Sequence, residues 1–119
     1  MAFNYEAILE TATRHNASDI HLITGEPPII RVDTNLCRVD LPAIDAHGIQ
    51  TLIDTMLNET QQRTLQKTQD VDLSWETNTC RYRVNVHFQR GTPAIAMRIV
   101  KSKIPPLETL SLPPAIESL

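Results

Sequence analysis

Apolar residues recur at helical spacing in two parts of the chain. The clearer stripe lies in residues 45–57, where five apolar positions repeat at i, i+3, i+4, i+7 and i+8: Ile49, Leu52, Ile53, Met56 and Leu57. Asp45 precedes this stripe and is suited to cap the helix, because its carboxylate accepts from free backbone N–H groups. A shorter stripe in residues 4–15 follows Asn4, a second candidate cap. The pattern therefore predicts two amphipathic helices.

A third and more polar helix is predicted from a capping signal. Asn58 is followed three residues later by Gln61, which resembles a capping box, where each of the two side chains bonds to the backbone of the other residue. We expect this helix to run through about Lys67.

Patterns typical of strands fill most of the remaining chain. Residues 19–39 are β-branched and apolar with two turn-like interruptions, which predicts two or three short strands in an antiparallel meander. From residue 70 the period becomes two, with polar residues between three apolar ones: Val71, Leu73 and Trp75. This predicts a half-buried strand with Trp75 anchored in the core. The order of helix, strands, two helices and strands predicts an α+β fold with an antiparallel sheet.

Residues 81–100 predict a β-hairpin whose register depends on its apolar face. That face carries Tyr82, Val84, Val86 and Phe88 in the first strand, and Ile95, Met97 and Ile99 in the second. With Arg90 and Gly91 as a two-residue turn, apolar residues pair with one another and Arg83 lies opposite Arg98. A slip by one residue would bury Arg98 without a partner, at a cost of several kcal/mol. The first register is therefore preferred, although a bulge would change it.

The predicted pair of Arg83 and Arg98 is unfavourable by itself. Like charges directly opposite on a sheet cost up to about 1 kcal/mol, and the hairpin contains no acidic residue. In one interpretation the guanidinium groups spread into solvent or pair with acids of the neighbouring strand: Asp70, Asp72 or Glu76. In the other they converge on an anion, for which phosphate oxygens are well suited. The residues alone leave both interpretations open.

The composition is that of an ordinary globular domain. The chain has 119 residues and a net charge of -3, which argues against a nucleic-acid partner because that usually needs a basic excess. Cys37 and Cys80 match no disulfide framework or zinc spacing, so we expect two small buried residues and no metal site. The sequence shows neither a secretory leader nor an apolar run of about 20 residues. These features predict a cytoplasmic location.

Other polar residues have plain structural interpretations. His21 alternates with apolar neighbours and has no cysteine or carboxylate at metal-like spacing, so we expect a hydrogen-bonded structural histidine. Ser18 and Asp19 suit a turn or cap before the first strand. After residue 104 the chain becomes rich in proline, and we assign residues 1–104 to the folded domain and residues 105–119 to a linker.

Four phrases in order resemble the amino-terminal domain of the PilT-type secretion ATPases, the retraction motors of type IV pili and their relatives in type II and type IV secretion. They are ASDIHLITGEPPIIRVD at residues 17–33, DVDLSWE at 70–76, RYRVNVHFQRG at 81–91 and AMRIVKSKIPPLETLSLP at 96–113. The sequence departs from the family where VDT replaces VDG and where HFQRG replaces NQNRG. For that reason Arg90 is assigned no nucleotide contact.

The resemblance implies a PAS-like fold with helices on one side of the sheet, joined in the family to a RecA-like ATPase domain in a hexameric ring. It also implies that Arg83, which matches the family phrase FRVN, and Arg98, which matches VFR or VMR, reach the nucleotide. Arg81 is a further candidate. The implied ligand is ATP, with magnesium supplied by the RecA-like domain. The implied partners are that domain, neighbouring subunits of a homohexamer and the inner-membrane platform of the pilus or secretion system, which would hold the protein at the membrane periphery.

The chain itself is expected to contain no catalytic residue. It has only three glycines and no G-x-x-x-x-G-K-[ST] phosphate loop, so we expect no ATP hydrolysis by this chain alone and no tightly bound cofactor. The simplest explanation is a fragment that precedes the motor domain. A stand-alone interaction module and a small-molecule sensor of PAS-like fold stay as alternative functions, because fold does not imply function.

Overall fold

The computed structural model describes residues 4–102 and 116–118. Within these ranges the elements are α1 (Tyr5–Arg14), β1 (Asp19–Ile23), β2 (Ile29–Val32), β3 (Asn35–Val39), α2 (Ala46–Met56), α3 (Glu59–Thr68), β4 (Asp70–Glu76), β5 (Cys80–Gln89), β6 (Thr92–Ser102) and β7 (Ile116–Ser118). The predicted α+β class and the predicted order of elements are confirmed.

Each helix begins at the cap that the sequence predicts. The side chains of Asn4 and Asp45 accept backbone N–H bonds at the starts of α1 and α2. At α3 the capping box is complete, since the N–H of Gln61 donates to Asn58 Oδ1 at 2.8 Å and the N–H of Asn58 donates to Gln61 Oε1 at 2.9 Å. Such caps satisfy orphan donors and each typically stabilises a helix by about 1 kcal/mol.

All strands of the sheet are antiparallel, in the order β4-β5-β6-β1-β2-β3-β7. One face of the sheet joins the helices in a single core that includes Ile20, Leu52, Ile53, Val84 and Met97. The opposite face carries polar side chains, among them Arg83, Asn85 and Arg98, and it stays open within the described part of the chain. This arrangement confirms the expectation of helices on one side and is compatible with a PAS-like fold.

β7 is a strand that the sequence analysis did not predict. It pairs antiparallel with β3 and falls inside residues 105–119, which were assigned to a linker. Residues 103–115 lie outside the described part of the chain, so the domain boundary at residue 104 stays a prediction.

The hairpin of β5 and β6 has the predicted register, with Arg83 opposite Arg98. Its turn residues, Arg90 and Gly91, have φ angles of 55° and 81°, as a type I′ turn requires. A β-bulge near the start of β5 shifts the ladder only beyond the arginine pair. The bulge therefore leaves the pairing of the two arginines intact.

Tyr82 belongs to a small aromatic cluster with Trp75 at its centre. Its side chain is 0% exposed, and its ring centroid is 5.7 Å from that of Trp75, which in turn lies 6.1 Å from the ring of Tyr5. Burial raises the pKa of the Tyr82 phenol well above its ordinary value, and the side chains of Cys80, Thr77 and Thr13 also act on its hydroxyl through hydrogen bonds. The predicted core position of Trp75 is confirmed by its packing against the core.

Cys37 and Cys80 are both buried, as predicted, and neither forms a disulfide within the described residues. In residues 4–102 and 116–118 there is no cluster of three or more histidine, cysteine or acidic side chains arranged to hold a metal ion. Over the same residues, no helix is long and apolar enough to cross a membrane.

The turn between β2 and β3 adopts a left-handed backbone without glycine, since Asp33 and Thr34 have φ angles of 49° and 72°. A β-branched residue is strained in this region by roughly 1–2 kcal/mol. We expect Thr34→Gly to raise the free energy of unfolding by roughly 0.5–1 kcal/mol, because glycine removes the strain but loses more entropy on folding. Urea unfolding measures the change.

The matched control is Thr64→Gly at an exposed position within α3. A glycine there should lower the free energy of unfolding, because it is a poor helix former. A loss of stability in both variants would show that the Thr34 backbone is not strained.

Candidate anion-binding site

A groove of about 300 Å³ crosses the open face of the sheet. Its polar lining comes from β1, β4, β5 and β6: Asp19, His21, Asp72, Arg83, Asn85 and Arg98. Ala96 lies between Asn85 and His21 in the row of residues that crosses the sheet. Because its side chain is a single methyl group, the centre of the groove stays open between longer side chains.

Four charged residues lie side by side on adjacent strands, and all of them except Arg31 line this groove. The register places Arg83 opposite Arg98, Arg98 opposite Asp19, and Asp19 opposite Arg31. The row therefore holds three guanidinium groups and one carboxylate, an excess of positive charge that Asp72 offsets in part elsewhere in the groove lining. An excess of this kind on a sheet surface favours an anionic ligand.

Asp19 is the acidic partner of Arg98. Arg98 Nε lies 3.3 Å from Asp19 Oδ1, Arg31 Nε lies 3.6 Å from Asp19 Oδ2, and Ser18 Oγ donates to Asp19 Oδ2 at 2.8 Å. Burial would raise the pKa of Asp19, but the hydrogen bonds from Ser18 and Arg98 and the charge of Arg98 outweigh it, so the pKa lies below its usual value. Asp19 is therefore ionised at neutral pH.

The position of Asp19 corrects two expectations. Asp19 is the first residue of β1 and pairs with residues on both neighbouring strands, whereas the sequence analysis treated it as part of a turn or cap. The sequence analysis also sought acids for the arginines on β4 alone. The observed partner of Arg98 comes from β1, on the other side of β6.

Arg83 and Arg98 differ in their surroundings. Arg83 is exposed and makes no ion pair within the described part of the chain, and the residue opposite it on β4 is the neutral Ser74. Arg98 is held by Asp19, although 75% of its side chain is exposed. The site thus combines one oriented guanidinium group with one that is available to a ligand.

Arg81 has a different environment from the other two candidates. Its Nε lies 3.9 Å from Glu76 Oε1, and its register partner on β6 is Lys101, beyond the bulge. Arg81 also does not line the groove. The structure therefore brings Arg83 and Arg98 together and leaves Arg81 at a neighbouring position, paired with an acid.

Asn85 connects the polar residues at the other end of the groove. Its Nδ2 donates to Asp70 Oδ1 at 2.7 Å and to Asp72 Oδ1 at 3.0 Å, while its Oδ1 lies 2.7 Å from His87 Nδ1. The sequence analysis assigned no role to Asn85. The alternation of β5 does place it on the same face as Arg83, which is the one signal that could have drawn attention to it.

His21 lies at the edge of the groove and is half-buried. Burial lowers the pKa of its imidazole and the charge of Arg31 lowers it further, against the opposing effect of Asp19. The expected hydrogen bond is not found, since the described residues give the ring no partner. His21 is therefore a neutral imidazole at pH 7 that lines the groove.

The groove suits a phosphate group by its donor set. Guanidinium forks form paired, charge-assisted hydrogen bonds with phosphate oxygens, and Arg83 has its donors free for such contacts. A phosphate between Arg83 and Arg98 would also remove the repulsion between them, which costs up to about 1 kcal/mol. The anion-binding interpretation is thus consistent with the geometry.

No protein-family model matches the chain. It is 31% identical over 106 residues to the type IV pilus retraction ATPase PilT of Pseudomonas aeruginosa, covering 88% of this chain and 31% of the relative. It also matches a crystal structure of the pilus retraction motor PilT with bound ADP, at a TM-score of 0.74 and 34% identity, over 90% of this chain and 32% of that chain. The Legionella pneumophila ATPase DotB matches at a TM-score of 0.71 and 27% identity, over 82% of this chain and 28% of that chain. The chain spans about a third of the length of the curated relatives it matches, 31% for PilT of Pseudomonas aeruginosa and 32% for a twitching motility protein of Neisseria gonorrhoeae.

Proposed function

Because this chain belongs to the PilT-type ATPases and matches their amino-terminal domain, we propose that it assists ATP binding and hydrolysis by a RecA-like ATPase domain. Arg83 and Arg98 contact the phosphates in this proposal. The observation that carries it is the pairing of these two guanidinium groups across β5 and β6. One of them has no acidic partner among the described residues.

The different surroundings of the two arginines support different roles in binding a phosphate. Arg98 is oriented by Asp19 at 3.3 Å, so less side-chain entropy is lost when it meets a phosphate. Arg83 has no such anchor and can follow the ligand as it moves. The relative that was solved with ADP is consistent with a nucleotide as the ligand, and magnesium would come from the RecA-like domain.

The open groove supports an assembly in which a second domain covers it. Closure over the arginines would exclude water and strengthen every charge–charge interaction inside. We propose that the covering domain is the RecA-like domain of the same protein or of a neighbouring subunit in a homohexameric ring. Such a ring would work in the cytoplasm on the inner-membrane platform of a type IV pilus or secretion system.

This chain alone should bind ATP weakly, with a dissociation constant on the order of millimolar. Two guanidinium contacts without a base pocket leave little free energy after the cost of association. Binding should weaken further as salt is added, because exposed charges are screened. Titration of the 119-residue chain with ATP, followed by NMR chemical shifts at two salt concentrations, is the measurement.

The same titration on variants tests which residues form the site. Arg83→Gln should weaken ATP binding, whereas Arg90→Gln, at the exposed hairpin turn, should bind nearly as the parent does. If both substitutions weaken ATP binding equally, the affinity depends only on the net charge of the chain and not on a site at Arg83. Micromolar binding at physiological salt would reveal a pocket other than the groove.

A further inference from the structure

Arg83 has two acids as diagonal neighbours on β4 and forms an ion pair with neither of them within the described part of the chain. Asp72 and Glu76 flank Ser74, the residue opposite Arg83, and all lie on the same face of β4. Diagonal neighbours on adjacent strands are within reach of long side chains. An arginine in this position would ordinarily pair with one of them, so the absence of such a pair has a structural cause.

The cause is that other residues engage these acids. Asn85 donates one N–H to Asp72 at 3.0 Å and the other to Asp70 at 2.7 Å. Glu76 lies 3.9 Å from Arg81. On the opposite side of the arginine pair, Asp19 is engaged by Arg98, Arg31 and Ser18.

Asn85 is the centre of this arrangement because it uses all its hydrogen-bonding groups. Carboxylates only accept, so the amide nitrogen of Asn85 faces Asp70 and Asp72 and its oxygen accepts from His87 Nδ1 at 2.7 Å. A neutral amide can hold two carboxylates without adding a charge of its own. Both carboxylates are thereby held by Asn85, and Asp70, whose register partner is His87, lies on the side of Asn85 away from Arg83.

We propose that Asn85 is a positioning residue of the anion site, which keeps Arg83 available to a phosphate by holding Asp72 and Asp70. This inference rests on the proposed function of the arginine pair. Loss of the amide would release Asp72, whose carboxylate would then pair with Arg83 and compete with the ligand. An exposed pair of this kind is weak, so we expect Asn85→Ala to weaken phosphate binding roughly two- to five-fold.

The test is a double-mutant cycle in this chain with tripolyphosphate as the probe, followed by NMR of the arginine side-chain N–H groups. The four chains are the parent, Asn85→Ala, Asp72→Asn and the double variant. Removing the negative charge of Asp72 favours anion binding in any background. Improved binding by the double variant over Asn85→Ala is therefore not sufficient evidence by itself. The decisive result is that Asp72→Asn improves binding more in the Asn85→Ala chain than in the parent.

Two controls make the result specific. Asp54→Asn, on the exposed side of α2, should give the same small change in both backgrounds. Asn85→Ser, which has one donor in place of two, should bind with intermediate affinity and serves if the alanine variant does not fold. Thermal melting confirms that each variant is folded before its titration is compared.

Equal gains from Asp72→Asn in the two backgrounds, or parent-like binding by Asn85→Ala, would overturn the role of Asn85 alone. Arg83→Gln in the same titration separates this from failure of the proposed function. If Arg83→Gln binds tripolyphosphate as well as the parent does, or if the parent binds none, the arginine pair is not the anion site and both proposals fall.

Discussion

Arg83→Gln is expected to lower ATP hydrolysis by roughly tens- to hundreds-fold in a protein that carries this domain together with its ATPase domain. A charge-assisted contact that strengthens as negative charge develops on the phosphates affects turnover as well as binding. Loss of one such contact typically costs about 2–4 kcal/mol in the transition state. Steady-state hydrolysis at saturating ATP measures the effect on turnover.

The fold should survive this substitution, because Arg83 is exposed on the open face of the sheet and exposed positions contribute little to stability. Thermal melting of the variant is therefore the first control. Arg90→Gln, at the hairpin turn, is the matched arginine control and should be much milder.

Arg98→Gln should lower hydrolysis to a similar extent, for a partly different reason. It removes a phosphate contact and also leaves Asp19 with one fewer cationic partner beside the groove. Because Arg83 and Arg98 serve one ligand, the double variant should lose less than the sum of the single losses. Parent rates in both single variants, with normal melting, would favour a docking module over a nucleotide-binding role.

Tyr82→Ala is expected to lower the free energy of unfolding by about 3–5 kcal/mol, the usual cost of removing a fully buried aromatic ring. The ring is 0% exposed and stacks on Trp75 at a centroid distance of 5.7 Å, so its loss leaves a cavity beneath β4 and β5. Trp75 is the one tryptophan of the chain. Its fluorescence therefore reports unfolding by denaturant directly.

Tyr82→Phe is the control that separates the ring from its hydroxyl. The hydroxyl is buried beside the side chains of Cys80, Thr77 and Thr13, so its removal should cost about 0.5–1.5 kcal/mol, the usual net contribution of one hydrogen bond. A loss as large as that of the alanine variant would show that the hydroxyl makes an essential bond.

The hairpin register could be predicted from the sequence because each of its strands has one apolar and one polar face, and only one register places the two apolar faces together. In the alternative register Arg98 would be buried among apolar residues at a high cost in free energy. The apolar pattern therefore predicts that Arg83 lies opposite Arg98. The same holds for α2 and α3, where the apolar stripe or the capping pair is local in sequence. These features need no knowledge of which strands are neighbours.

The contacts of Asp19 and Asn85 could not be predicted in the same way. Arg98 and Asp19 are separated by 79 residues, and they meet only because β1 lies beside β6 in the sheet. Alternation showed which face each side chain occupies but not the order of the strands. β7 was missed for the related reason that its pairing with β3 follows a proline-rich segment with no strand period.

β4 forms one edge of the sheet within the described residues, and an open edge is a template on which another strand can add. Its seven residues include three acids, Asp70, Asp72 and Glu76. A second copy that paired with this edge would bring like charges together, and each directly opposed pair would cost up to about 1 kcal/mol. The acids of β4, one of which lines the groove, therefore also oppose edge-to-edge aggregation of this domain.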